Sequence, residues 1–188
     1  MPRAKTVADI LTATRLLLAI YIFLLGIFVG REALGTVTMV MLLAWTTDVL
    51  DGSLARRDTS GRKTWWDDKD FPVDGLLVLA LFLNLALSRF ITPWFAILYL
   101  LVAMASTLLL RSQSVTMSFM APVLALALYL ALREAPLWGW ATIVWCIIAL
   151  ATNPHRFIFV VTNFIAEMRE LQTESNLTKT STNNSNKP

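Results

Sequence analysis

Six long runs without a charged residue dominate this sequence and limit the folds open to it. They cover residues 16–30, 33–47, 75–88, 90–110, 112–132 and 135–155. A helix needs about 20 mostly apolar residues to cross the hydrocarbon core of a bilayer. The last three runs, each of 21 residues, reach that length alone, whereas the first three must extend into charged neighbours. The chain is therefore predicted to be a polytopic membrane protein, which excludes a cytosolic enzyme, a secreted scaffold and a single-pass anchor.

The spans are expected to be helices, because open strands leave backbone groups unpaired in lipid and the runs lack the alternation of membrane barrel strands. The predicted fold is all-α, with a six-helix transmembrane domain over residues 1–171 and a disordered, polar tail over 172–188. We expect the helices at about 10–29, 33–57, 67–88, 93–110, 115–132 and 136–153, after a basic segment 1–9 on the membrane surface. Residues 155–171 are expected to form an amphipathic surface helix or to continue the sixth helix beyond a kink.

Lys and Arg residues are distributed unevenly over the predicted loops. If both termini share one side, 13 of the 16 basic residues lie on that side, and only Arg31, Arg89 and Arg133 lie opposite. Cytoplasmic loops carry the excess of Lys and Arg, so both termini and the loop over 56–74 are predicted to be cytoplasmic. Because these residues flank the spans and form no soluble patch, no nucleic-acid partner is expected.

Charged residues enter the three helices whose uncharged runs are short. Arg15 lies in the first helix, Asp48 and Asp51 in the second, and Asp70 and Asp74 in the third. A charge at the centre of a span costs about 2.5–3.5 kcal/mol and indicates a functional site. Spacings of three and four residues place each Asp pair on one helix face. If those faces meet, four carboxylates converge at the cytoplasmic edge, where a cation or a water-filled cavity must compensate them.

Oxygen-only ligands favour a hard divalent cation such as Mg²⁺ or Mn²⁺, and two such ions about 3.5–4 Å apart are typical of attack on phosphorus. The residues between the pairs suit a phosphate ligand, since Gly52 and Ala55 are small and Arg56 can bind phosphate with two hydrogen bonds. The alternative is a helix end closed by ion pairs among the loop charges. That alternative does not explain two spaced Asp pairs beside three phosphate-compatible residues.

The segment from Asp48 to Asp74 reads DVLDGSLARRDTSGRKTWWDDKDFPVD. It resembles the signature of the CDP-alcohol phosphotransferase (phosphatidyltransferase) family, written D-x2-D-G-x2-A-R-x8-G-x3-D-x3-D. Seven positions match in order: Asp48, Asp51, Gly52, Ala55, Arg56, Asp70 and Asp74. Thr12 and Arg15 also resemble the T-x-x-R of the family's first helix. The resemblance implies six helices, with the motif spanning helices 2 and 3.

The resemblance also implies a role for each matched residue. Asp48, Asp51, Asp70 and Asp74 would hold two Mg²⁺ or Mn²⁺ ions, and Asp74 would also be the general base. Gly52, Ala55 and Arg56 would receive the CDP moiety. An acceptor hydroxyl would attack the lipid-side phosphorus of CDP-diacylglycerol and release CMP, in a reaction similar to that of a phosphatidylglycerophosphate synthase. A homodimer in the lipid bilayer is expected because the family is commonly dimeric.

Two features of the sequence leave open which alcohol is the acceptor and whether the protein catalyses the transfer. Nine residues, not eight, separate Arg56 from Trp66, which stands where the family has glycine. This departure supports an alternative in which the chain is a non-catalytic or donor-altered relative that binds metal or nucleotide. A cation transporter is disfavoured, because the acids cluster at one interface. Arg111, with Ser112 and Ser114, is a candidate site for an anionic acceptor or a topology residue at a turn, and Asn84 and Thr107 are expected to form interhelical hydrogen bonds.

Overall fold

The computed structural model describes residues 2–55, 70–110, 112–152 and 162. For residues 2–9, 50–55, 70–72 and 113 the description is limited to the backbone. Three residues singled out by the sequence, Arg56, Trp66 and Arg111, lie outside the described residues. So do the tail over 172–188 and all of 155–171 except Thr162. The division of the chain at residue 171 therefore stays a prediction.

Every regular element in the described part of the chain is helical, as predicted. The α-helices are α1 (Pro2–Phe28), α2 (Leu34–Ala55), α3 (Asp70–Leu87), α4 (Pro93–Leu110), α5 (Gln113–Glu134) and α6 (Pro136–Thr152). A short 3₁₀ helix, Gly30–Ala33, forms the turn between α1 and α2. The turn after α3 places Arg89 in the left-handed region at a φ of 58°. There the N–H of Phe90 bonds the carbonyl of Leu85, which is one of the bonds that close a helix end.

The main difference from the predicted boundaries is at the start of α1. The helix begins at Pro2 rather than near Ile10, so the basic segment is the first part of the same helix. Proline is favoured at the first helical position because its missing N–H has no partner to lose there. Residues 3–9, RAKTVAD, include no glycine or further proline that would interrupt a helix.

Helices α1, α2 and α3 form the centre of the bundle, with α1 packed against both of the others. Ile22 of α1, Val37 of α2 and Leu85 of α3 are fully buried there. Helix α5 contacts α2, α3, α4 and α6, and α6 also contacts α2. The centre of the bundle is thus built from the three helices that carry charged residues in their apolar regions.

A buried hydrogen bond fixes α1 beside α3. Asn84 Nδ2 donates to the carbonyl oxygen of Ile22 at 2.8 Å, which confirms the interhelical role predicted for this residue. A Cβ atom on Gly26 would lie 2.9 Å from Asn84 Cα, so the glycine permits the close approach. Arg15 lies two turns before Ile22, and Asp74 lies nearly three turns before Asn84. Asp74 therefore lies near the N-terminal end of α3, beside Arg15 at the middle of α1.

The described helices have the composition expected of a membrane protein. Three segments are long and apolar enough to cross a bilayer, namely Ile10–Phe28, Pro93–Leu110 and Ser114–Glu134. Two shorter apolar helices cover Val73–Leu87 and Pro136–Thr152. Large apolar side chains face outward along α4, where Trp94 and Leu109 are 84% and 82% exposed. Such a surface is stable in lipid, whereas in water it would drive association.

Candidate functional site

One buried arginine joins two acidic residues that come from different helices. Nη1 of Arg15 donates to Oδ1 of Asp48 at 2.9 Å and to Oδ1 of Asp74 at 2.8 Å. The Arg15 side chain is 1% exposed, whereas those of Asp48 and Asp74 are 28% and 46% exposed. The cation is therefore enclosed by α1, α2 and α3, and its two partners remain accessible from the end of the bundle.

Thr12 completes the surroundings of the guanidinium. Nη2 of Arg15 donates to Thr12 Oγ1 at 3.3 Å, and Thr12 is 2% exposed. Thr12 and Arg15 are three residues apart and thus share one face of α1. The T-x-x-R pattern of the first helix is therefore part of the site. The sequence analysis required a cation or a water-filled cavity beside the carboxylates but did not place Arg15 there, although the charge inside an apolar helix was the available signal.

The ion pairs explain how these charges are tolerated in an apolar bundle. Removing a charge from water is costly unless it gains a partner and hydrogen bonds. Arg15 compensates one negative charge of the Asp48 and Asp74 pair and leaves the three residues with a net charge of about −1. Partly exposed carboxylates such as those of Asp48 and Asp74 are groups that bind divalent cations.

The donor set fits a divalent metal. Because both Oδ1 atoms are bonded to one nitrogen, they can be no more than about 5.7 Å apart. Oxygen ligands bind Mg²⁺ at about 2.1 Å, so carboxylates at this separation can reach one ion or two adjacent ions. Among the described side chains, no group of three or more His, Cys, Asp or Glu residues gathers around one point. The carboxylate oxygens suit a divalent metal, and the ligand roles of Asp48 and Asp74 stay predictions.

The other residues of the motif are placed by their backbones. Asp51, Gly52 and Ala55 lie in the last turns of α2, beyond Asp48, and Asp70 is the first residue of α3, one turn before Asp74. The structure does not describe their side chains. Of the four carboxylates predicted to converge, it therefore brings together Asp48 and Asp74, and the convergence of the other two stays a prediction.

Helix α4 ends and α5 begins at the end of the bundle that carries the acidic site. The turn between these two helices therefore belongs to that end. Ser114 is 2% exposed, and its carbonyl accepts a hydrogen bond from Ser118 Oγ at 2.9 Å. Thr116 Oγ1 lies 3.5 Å from Thr107 Oγ1, the weak interhelical contact expected of Thr107. With Arg111 outside the described residues, the anionic acceptor site stays a prediction.

A small apolar cavity lies between α2, α3, α5 and α6. Its lining residues are Leu34, Thr38, Met41, Trp45, Leu81, Leu124, Ala127, Leu128 and Thr142. None of them is acidic, and the hydroxyl of Thr142 donates to the carbonyl of Trp138 in its own helix. At about 30 Å³ the cavity is far too small for a lipid chain. Its lining contains no residue of the acidic site.

Comparison with known proteins identifies the family of this chain. The family model described as CDP-alcohol phosphatidyltransferase matches residues 5–154, about four-fifths of the chain. The match includes Thr12, Arg15, Asp48 and Asp74, and it confirms the resemblance drawn from the motif. No curated protein and no solved structure shows significant similarity to the chain.

Proposed function

Because the chain belongs to the CDP-alcohol phosphatidyltransferase family, we propose that it transfers a phosphatidyl group from CDP-diacylglycerol to an alcohol acceptor and releases CMP. Membership makes the chain part of a group of transferases of lipid biosynthesis. The observation that carries the finer proposal is the pair of accessible carboxylates, Asp48 and Asp74, held by buried Arg15 at one end of an apolar bundle. In the proposed reaction these carboxylates would face the headgroup of the lipid donor.

We assign two Mg²⁺ or Mn²⁺ ions to Asp48, Asp51, Asp70 and Asp74. Support comes from the all-oxygen donor set and from the separation of Asp48 and Asp74 described above. Bound ions would neutralise the negative charge that develops on the diphosphate during transfer. Gly52, Ala55 and Arg56 are assigned to the CDP moiety, because small residues leave room for it and arginine binds phosphate with two hydrogen bonds.

The protein's own groups then perform binding and proton transfer. Asp74, nearly half exposed, accepts the proton of the acceptor hydroxyl as general base. The hydroxyl oxygen forms a bond to the phosphorus of the phosphatidyl group, the bond from that phosphorus to the bridging oxygen breaks, and CMP carries away the electron pair. Arg111 is assigned to an anionic acceptor, as in a reaction similar to phosphatidylglycerophosphate synthesis.

All six helices are proposed to span the membrane, with both termini and the acidic site in the cytoplasm and a second copy forming a homodimer. The distribution of Lys and Arg supports the orientation. A cytoplasmic site would open to the inner leaflet, which holds lipids, and to the water into which CMP is released.

The test is CMP release by the purified full chain in detergent, with CDP-diacylglycerol, Mg²⁺ or Mn²⁺ and a panel of acceptor alcohols. We expect metal-dependent release with one acceptor and none with Asp74→Asn, which keeps the side-chain shape but cannot accept the proton. Release that persists in Asp74→Asn would contradict the assignment of the base.

Trp66 supports a second candidate, a non-catalytic or donor-altered relative, since an indole replaces the family's glycine at the mouth of the nucleotide site. That candidate predicts that the folded wild type binds Mn²⁺ or CDP but releases no CMP from CDP-diacylglycerol with any acceptor.

A further inference from the structure

Arg15 lies outside the acidic motif and yet contacts its first and last carboxylates. We propose that Arg15 is a positioning residue of the metal site, which holds Asp48 and Asp74 at the separation that bound divalent cations require. The inference rests on the proposed function, in which these carboxylates are ligands. It extends the site from the two helices that carry the motif to a third helix.

The geometry of the hydrogen bonds carries the argument. The Nη1 atom of Arg15 carries two hydrogens, and it donates to the Oδ1 atoms of two different aspartates, Asp48 at 2.9 Å and Asp74 at 2.8 Å. A carboxylate that accepts a hydrogen bond at one oxygen can coordinate a cation through the other. Without the shared donor, the two like charges would repel and turn apart. Arg15 therefore sets the distance between the carboxylate of α2 and that of α3.

The guanidinium is itself held in place. Its Nη2 atom bonds Thr12 Oγ1 at 3.3 Å, and the side chain is almost completely enclosed. Oxygen acceptors from α1, α2 and α3 thus fix the plane of the Arg15 guanidinium. Groups that hydrogen-bond to metal ligands commonly change metal affinity about 10- to 100-fold when mutated, and a group fixed on three sides is suited to that role.

A purely electrostatic role makes the opposite prediction. If Arg15 only neutralised the aspartates, its charge would repel the metal, and its removal would tighten metal binding. If Arg15 positions the ligands, its removal weakens binding, because the carboxylates no longer meet at the required separation. The sign of the change in Kd therefore separates the two roles.

The experiment measures Mn²⁺ binding to the purified full chain in detergent, without lipid substrate, from the loss of the free-ion signal in electron paramagnetic resonance. The variants are Arg15→Gln and Thr12→Val, and the matched control is Arg31→Gln. Arg31 contacts the Phe90 ring and the Arg89 carbonyl at the opposite end of α1. We expect Arg15→Gln to raise the Kd for Mn²⁺ about tenfold or more, Thr12→Val to raise it less, and Arg31→Gln to leave it unchanged.

An unchanged or lower Kd in folded Arg15→Gln, with wild-type protein that binds Mn²⁺, overturns the positioning role and leaves the proposed function intact. Failure of the wild type to bind Mn²⁺ overturns both. If Arg15→Gln elutes as aggregate in size-exclusion chromatography, Thr12→Val decides. Thr12→Val keeps the positive charge of Arg15 and removes one oxygen that accepts a hydrogen bond from its guanidinium. A Kd for Mn²⁺ equal to that of the wild type then overturns the proposal.

Discussion

At the scale of single residues, the acidic site is a network in which each charge depends on the others. Arg15 is enclosed, and the two aspartates that pair with it are partly exposed. Removing one partner of a buried ion pair leaves an uncompensated charge, which costs more than the pair contributes. The stability effects of mutations in such a network are therefore not additive.

We expect the double variant Arg15→Gln/Asp48→Asn to be more stable than the sum of its single variants implies, by about 1–3 kcal/mol. Arg15→Gln removes the donor that Asp48 and Asp74 share, and Asp48→Asn weakens the hold on Arg15 although Asp74 still pairs with it. The double change removes the Arg15–Asp48 ion pair as a unit, so its cost should be smaller than the sum of the two single costs. Unfolding free energies in detergent, from a denaturant titration, provide the measurement. Asp48→Asn combined with Arg133→Gln is the control pair, because Arg133 contacts Tyr129 in its own helix and no residue of the site. Additivity within about 0.5 kcal/mol for Arg15 and Asp48 would contradict the coupling.

At the scale of helices, close backbone approach determines how the elements assemble. A Cβ atom on Gly139 would lie 2.7 Å from the backbone nitrogen of Leu132, so α6 meets α5 where only a hydrogen fits. Small residues at such crossings are common in membrane proteins, where association depends on packing. Gly35 of α2 differs, because its nearest neighbour is a Trp138 side-chain atom at 3.2 Å that can shift.

Gly139→Ala is therefore expected to lower stability by about 1–3 kcal/mol, since α5 and α6 must separate to admit a methyl group. Gly35→Ala is expected to be close to neutral, because alanine gains up to about 1 kcal/mol of helix propensity over glycine. Thermal unfolding of the two variants in one detergent measures the difference. Equal melting temperatures would show that the α5–α6 crossing relaxes without cost.

Helix positions could be predicted from the sequence largely because turns carry strong local signals. Charged residues and proline at positions 89–93 mark the end of α3 and the start of α4 within a few residues. Those at positions 133–136 mark the end of α5 and the start of α6. The early start of α1 was missed because residues 2–9 are basic, and charge was taken to mean a surface segment although the residues permit a helix. The pairing of Arg15 with Asp48 and Asp74 could not be predicted, because it depends on which helix faces meet. Sequence spacing gives the face of each helix but not its neighbour.

At the scale of the whole molecule, the distribution of charge should determine the orientation in the membrane. If all six helices span the membrane, 13 of the 16 Lys and Arg residues lie on the side that carries the acidic motif. Translocating such segments is unfavourable, so we expect that side to be cytoplasmic. The orientation matters for function, because a CDP-linked donor is available to the site only if the motif faces the compartment that makes it.

Labelling of single cysteines provides the test. Cys146 is the only cysteine and is exposed on α6, so it is first replaced by serine. Lys63→Cys then reports on the connection between α2 and α3, and Glu134→Cys reports on the opposite end, at the last residue of α5. In intact cells, a membrane-impermeant maleimide is expected to label Glu134→Cys. It is expected to label Lys63→Cys only after the cells are permeabilised. Labelling of both variants in detergent-treated membranes is the control for the reactivity of each cysteine. Labelling of Lys63→Cys from outside would reverse the orientation and contradict the proposed cytoplasmic position of the four aspartates.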